Sequence, residues 1–198
     1  YKMLKQHRIS EVDEDSSLEF FTLLIEELQK AGFEHYEISN FCRPDKYSRH
    51  NTSYWREESI PRYSDVRSSQ LEKEDFELIF ETIRTHYGLN HCQEITLEAN
   101  PDDLTSEYLG MLSSLPFNRL SMGIQTFDDN TLKLLKRRHN ARAAIEAVSR
   151  CREAGFRNIS IDLIYGLPGE TKERWENDLR QAIALNVEHI SAYHLIYE

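Results

Sequence analysis

The stretch NISIDLIYGLPG, residues 158–169, decides the fold of this chain. Asp162 stands between Ile161 and Leu163, and alternate side chains of a strand share a face, so this is a strand with a polar residue near its carboxyl end. Gly166, Pro168 and Gly169 then supply a tight turn, and the helix amides that follow are available to an anion. Downstream, Trp175, Leu179 and Ile183 mark a helix, and HISAYHLIYE (189–198) is the next strand. Upstream, a helix over Ala141–Ala154 is closed by Gly155, and RLSMGIQTF (119–127) and EITLEANP (94–101) are earlier strands. Further helical patterns start at Thr105 and run across Asp128–Arg137. A helix opens this half, with Ser69 and Glu72 at capping-box spacing and Phe76, Ile79, Phe80 and Ile83 following to Gly88. Strand starts near residues 95, 119, 159 and 189 bracket the ~31 residues per unit of a (β/α)₈ barrel. No G-x-G-x-x-G follows any strand, so a doubly wound dinucleotide fold has no fingerprint, and the expected fold class is α/β with a partial (β/α) barrel.

Toward the N-terminus, Asp13–Gly32 reads as an amphipathic helix with Leu18, Phe21, Leu24, Ile25 and Leu28 at helical spacing. HYEISNF (35–41) alternates as a short strand with Tyr36 and Ile38 on one side, and a long ordered loop follows. Residues 56–69, rich in arginine and serine with few large aliphatic side chains, have the composition of a connector.

The chain has 198 residues, 39% of them hydrophobic, enough for a sizeable core. Its net charge of −10 repels phosphate backbones and speaks against a general nucleic-acid binder. The longest apolar run, Phe20–Ile25, is interrupted by Thr22 and falls far short of the ~20 residues of a spanning helix. The charged start YKMLKQHR does not have the form of a signal peptide. Cys42, Cys92 and Cys151 have neither C-x-x-C nor C-x-x-x-C spacing, which argues against a disulfide framework or a local metal cluster and makes a reducing cytoplasm the expectation.

Glu98, Gln125 and Asp162 each sit near the carboxyl end of a strand, where barrels hold their ligands, and together are expected to converge on one small polar molecule. The alternative for any one of them is a bond to its neighbour or to the next helix's first amides. Two carboxylates in a barrel mouth require a cation, hydroxyl groups or a ligand amine. Arg137 is a candidate partner, or a cap for helix carbonyls. The eight histidines include no H-x-x-x-H or H-E-x-x-H pair, so a zinc site held by protein alone has little support. His50, in HNTSYW, stands near two aromatic rings that could flank a flat ligand while the imidazole binds a metal; the plainer reading is a surface loop pinned by Tyr54 and Trp55.

EITLEANP, RLSMGIQTF with LLKRRHN (134–140), NISIDLIYGLPGET and HISAYHLIYE, together with YEISNF (36–41) and SRHNTSYW (48–55), closely resemble the radical S-adenosylmethionine family of oxygen-independent coproporphyrinogen III oxidase-like proteins. The YEISNF and HNxxYW elements look like its heme chaperone branch. The resemblance covers most of residues 1–56 and 71–198, leaving 57–70 as a linker without a family motif. It implies that residues 71–198 form a partial radical S-adenosylmethionine barrel. Residues 1–56 look like the family's C-terminal segment, placed here at the N-terminus, so the order is circularly permuted.

By resemblance, Glu98, Gln125, Arg137 and Asp162 bind S-adenosylmethionine, and His50, Asn51, Tyr54 and Trp55 bind heme, with His50 a candidate iron ligand. The family's C-x-x-x-C-x-x-C loop, which holds a [4Fe–4S] cluster, and its G-G-G-T-P strand end are absent from these 198 residues. A cluster is therefore expected only in a full-length parent, and this chain alone is expected to lack radical activity. The leading expectation is a heme-handling protein whose parent delivers heme to an acceptor. The alternatives are an oxygen-independent coproporphyrinogen oxidase of porphyrin biosynthesis, which abstracts hydrogen from a propionate side chain before decarboxylation, and an inactive structural fragment.

Overall fold

A computed structural model describes residues 13–48, 68–88 and 92–195. Helix α1 (Glu14–Lys30) is followed by strands β1 (Glu34–Glu37) and β2 (Asn40–Cys42). After a 3₁₀ turn at Ser68–Gln70 come α2 (Lys73–Tyr87), β3 (Thr96–Ala99), α3 (Ser106–Leu112), β4 (Arg119–Gln125), α4 (Asp129–Leu134), α5 (Ala141–Glu153), β5 (Ile159–Tyr165), α6 (Lys172–Ala184) and β6 (His189–His194). All described strands lie in one sheet of order β1-β2-β6-β5-β4-β3. The four from β3 to β6 are parallel and adjacent in chain order, as expected of consecutive βα units, while β2 runs antiparallel to β6 and β1 antiparallel to β2.

Local chemistry sets the helix limits. The side chains of Asp13, Thr105, Asp128, Asn140 and Thr171 accept the N-terminal amides of α1, α3, α4, α5 and α6. Ser69 does not cap α2, because it lies within the 3₁₀ turn; the capping box is formed three residues later by Glu72 and Asp75. At the other end, Phe33 N donates to Leu28 O beyond α1 and Phe156 N to Cys151 O beyond α5, each closing over a glycine of positive φ, Gly32 and Gly155.

Strand alternation divides the sheet into two faces. Leu97, Leu120, Met122, Ile124, Ile159, Ile161, Leu163, Ile190 and Ala192 form an apolar face within the core. Helix α5 covers it with Ala144, Ala147, Val148 and Cys151, and α6 with Trp175, Leu179 and Ala182. The stripe of α1 runs through Phe20, Leu24 and Leu28 rather than starting at Leu18, which is 65% exposed. Trp175 Nε1 donates to Phe20 O at 3.0 Å and so joins α6 to α1. Each large apolar side chain removed from water here contributes roughly 1.5–3 kcal/mol.

The expected single strand over HYEISNF is instead a hairpin. Glu37 pairs with Asn40 across a tight turn, leaving Ile38 71% exposed at its tip. Tyr36 turns inward, with its hydroxyl 2.7 Å from His189 Nε2. Among the described residues no helix is long and apolar enough to cross a membrane.

Candidate functional site

The other face of the sheet is polar. Strand parity places Thr96 and Glu98, then Arg119, Ser121, Gly123 and Gln125, then Ser160 and Asp162, then His189, Ser191 and Tyr193 on it. Glu98 is in register with Ser121, Gly123 with Asp162, and Asp162 with Ser191. The strand-end residues expected to converge therefore share one face of three neighbouring strands.

Gly123 is the centre of the arrangement. A Cβ there would meet Gln125 Nε2 at 2.9 Å and Arg137 Nη2 at 3.2 Å, so only glycine leaves room for both side chains over the strand. A bulge between Gly123 and Gln125 and a φ of +75° at Gln125 re-aim the end of β4. A non-glycine residue held in that region costs of order 1–3 kcal/mol and must be supported by its surroundings. The support comes from α6: buried Asp178 accepts Thr126 Oγ1 at 2.5 Å and Phe127 N at 3.0 Å.

Arg137 does not cap α4. The helix ends with Lys136 at φ +55°, Lys136 N bonded to Lys133 O and Arg137 N to Leu132 O. This turn sends the guanidinium back to the sheet, where Nη2 donates to Gly123 O at 2.8 Å and to Asn100 Oδ1 at 2.7 Å. Two residues on, buried His139 places Nε2 3.1 Å from Ile124 O and pins the same segment to β4.

The electrostatics are acidic. Burial pushes the Asp162 carboxyl up to about 6, with Glu98 adding to the rise and the Ser191 and Ser121 hydroxyls and Arg119 pulling the other way. Ser121 Oγ is 3.4 Å from Asp162 Oδ2. Deeper in the sheet, Arg119 is buried and paired with Glu94 at 3.2 Å. His189, also buried, places Nδ1 2.9 Å from Ser160 Oγ, and its burial holds the imidazole neutral. Such a surface suits a ligand with hydroxyl or amine donors for the carboxylates and an anionic group for Arg137.

Asn100, Ser121, Ser191 and Asn40 complete this surface but were not among the residues singled out from the sequence. The alternation LSMGIQ carries the signal for Ser121, since it shares parity with Gln125. Asn40 and Ser191 meet only through the pairing of β2 with β6, which no local pattern encodes.

The thiols do not fit a cluster. Cys42 and Cys151 are buried on separate elements and Cys92 is exposed, and no group of three metal-ligating side chains converges among the described residues. Burial pushes the Cys42 thiol up to about 11 and Cys151 up to about 12, the opposite of what a thiolate ligand requires. His50, Asn51, Tyr54, Trp55 and residues 57–67 of the expected linker lie outside the described residues.

Residues 65–182 match the family model described as "Radical SAM superfamily". The chain is 46% identical over 105 residues to "Heme chaperone HemW" of Bacillus subtilis (strain 168), covering 53% of this chain and 28% of that protein. It is 38% identical over 130 residues to "Heme chaperone HemW" of Lactococcus lactis subsp. lactis (strain IL1403), covering 66% of this chain and 34% of that protein. The "Oxygen-independent coproporphyrinogen III oxidase" of Escherichia coli (strain K12) is 32% identical over 123 residues, 62% of this chain and 27% of that protein. The solved coproporphyrinogen III oxidase (HemN) from Escherichia coli, described as a radical SAM enzyme, superimposes with a TM-score of 0.60 at 30% identity, covering 66% of this chain and 30% of that one. The match thus spans about a third or less of each of these relatives.

Proposed function

The chain belongs to the radical SAM superfamily, and on that premise we propose that its polar sheet face is an S-adenosylmethionine site in a protein that handles heme and delivers it to an acceptor protein. The observation that carries the first part is the gathering of Gln125, Arg137 and Asp162 about Gly123, with Glu98 on the adjoining strand. The residues present suit that group. Glu98 and Asp162 accept from ribose hydroxyls or the methionyl amine, Gln125 offers an amide, and Arg137 offers guanidinium N–H groups to a carboxylate. In this family, S-adenosylmethionine supplies a deoxyadenosyl radical when reduced by a cluster. These residues only bind and orient it, and the thiolates for the cluster belong to the full-length parent.

The second part rests on the HNxxYW element and on the relatives named heme chaperone. His50, with Asn51, Tyr54 and Trp55, is assigned to heme, with His50 as the iron ligand. Residues 1–56 form the heme-side segment, 57–70 the linker and 71–198 the partial barrel, in a protein of the cytoplasm. The likeness to the coproporphyrinogen oxidase supports a second reading, an enzyme of porphyrin biosynthesis. Heme titration of the wild type and His50→Ala discriminates between them. We expect a Soret shift in the wild type that His50→Ala weakens by at least about tenfold, the loss of one metal–ligand contact; equal affinities would remove His50 as a ligand and with it the chaperone reading. Titration with S-adenosylmethionine is expected to raise the melting temperature, since a ligand that binds only the folded state stabilises it.

A further inference from the structure

Three consecutive residues after α4 fasten the end of β4 to the turn that follows β3. Arg137 commits both hydrogens of Nη2, one to Gly123 O at 2.8 Å and one to Asn100 Oδ1 at 2.7 Å. Arg138 Nη2 lies 2.6 Å from Asp102 Oδ2 and 2.7 Å from Asp103 Oδ1. His139 Nε2 donates to Ile124 O, since a carbonyl only accepts. The two neighbouring arginines are thus held in opposite ways, Arg138 by two carboxylates and Arg137 by two neutral oxygens. Among the described residues no carboxylate lies within ion-pair distance of Arg137, and its Nε and Nη1 groups have no acceptor. A half-buried guanidinium whose charge is left uncompensated suits an anion.

Asn100 opens the 3₁₀ turn Pro101–Asp103, a place where asparagine ordinarily caps, yet its side chain makes no capping bond. It is directed to Arg137 instead, and its neighbours fix which way the amide faces. A guanidinium only donates, so Arg137 must meet Oδ1; a carboxylate only accepts, so Asp103 Oδ2, 3.3 Å away, must meet Nδ2. Both demand the same orientation. Asp103 is itself held by Arg138 and by the bond from its own N to Asn100 O at 3.0 Å.

We propose that Asn100 is a positioning residue: its amide aims the Arg137 guanidinium over Gly123 without neutralising it, so that the charge meets the anionic end of the ligand. The charge of Arg138 is compensated by Asp102 and Asp103, and the Asn100 amide between Asp103 and Arg137 transmits alignment rather than negative charge. The functional meaning rests on the reading of this face as an S-adenosylmethionine site, whose anionic end is the methionyl carboxylate; the aiming of Arg137 by Asn100 stands without it.

Calorimetric titration of the full chain with S-adenosylmethionine, and with decarboxylated S-adenosylmethionine, reads the effect. Asn100→Ala should weaken the first by about tenfold and leave the second unchanged, because only the carboxylate uses Arg137. Arg137→Ala should show the same selectivity, and Asn100→Ala added to it should weaken binding no further, since both act through one contact. Equal losses for both ligands, or additive losses in the double variant, overturn the proposal. If Asn100→Ala loses its dispersed amide spectrum, Asn100→Ser, whose hydroxyl stops one bond short of Oδ1, decides by the same comparison. NMR of the arginine side chains separates the two claims. Hindered rotation should keep the Arg137 Nη2 signals distinct from those of Nη1 in the wild type, and Asn100→Ala should merge them. Signals that Asn100→Ala leaves unchanged overturn the proposal. A wild type that binds neither ligand removes the S-adenosylmethionine reading, and merging signals then leave the aiming of Arg137 by Asn100 standing.

Discussion

A missing methyl group at Gly123 makes the candidate site. Its backbone carries no unusual φ, so the requirement for glycine is one of space: two side chains lie where a Cβ would be. Gly123→Ala therefore forces Gln125 and Arg137 aside and weakens the Arg137 bonds to Gly123 O and Asn100. Overpacking of this kind typically costs 1–3 kcal/mol. We expect a melting temperature lower by several degrees and a loss of any stabilisation by S-adenosylmethionine. A variant with unchanged melting and unchanged ligand response would show that Gly123 is not the floor of the site. At this scale the sequence was informative for Glu98, Gln125 and Asp162, because strand parity is a local property. It left Arg137 open between two roles because the deciding feature is the left-handed Lys136, a residue type that rarely adopts that conformation.

Elements are held by caps and clamps of differing legibility. The N-caps at Asp13, Thr105, Asp128, Asn140 and Thr171 are residue types that favour this position, and the first four of these helices start where the sequence predicts, within a residue or two. The hairpin has the sequence pattern of a single strand because its turn, at Ile38 and Ser39, carries neither glycine nor proline; it is held by the Glu37 side chain instead. The clamp of Asp178 on the segment after β4 is also non-local, joining residues more than fifty positions apart. Asp178→Ala leaves Phe127 N without its acceptor, at a cost of about 1–3 kcal/mol. Burial raises this carboxyl from 3.8 to about 6, so the folded chain holds its proton more tightly than the unfolded chain does. The protonation-linked part of its stabilisation is therefore complete below about 3.8 and is lost as pH rises through about 6. Urea unfolding should show the alanine variant falling short of the wild type by a margin that narrows between the acidic end of that window and about pH 8. A margin that is constant or widens with pH would mean that Asp178 is not buried in this manner.

Across the whole molecule, the two ends of the described chain meet in one sheet. Strand β2 pairs with β6, Trp175 of α6 bonds to Phe20 of α1, and Ser17 Oγ lies 3.0 Å from His194 Nε2. The resemblance implies the reverse order, with the segment of residues 71–198 ahead of that of 1–56. These contacts show why either order can build the same sheet. What matters is that α1 and the hairpin sit beside β6, with Ser17 and His194 in contact. Loop closure depends only weakly on length, each doubling costing about 0.6 kcal/mol, so exchanging one connection for another changes little. We therefore expect a chain with residue 198 joined to residue 1, and opened within 57–70, to give the same far-UV spectrum. It should unfold in urea in a single transition followed equally by the fluorescence of Trp175, which is wholly buried between α1 and α6. Two separate transitions, or a Trp175 signal that reports unfolding before the loss of helix, would show that the N-terminal segment docks on β6 only weakly and that its position in the chain matters to the fold.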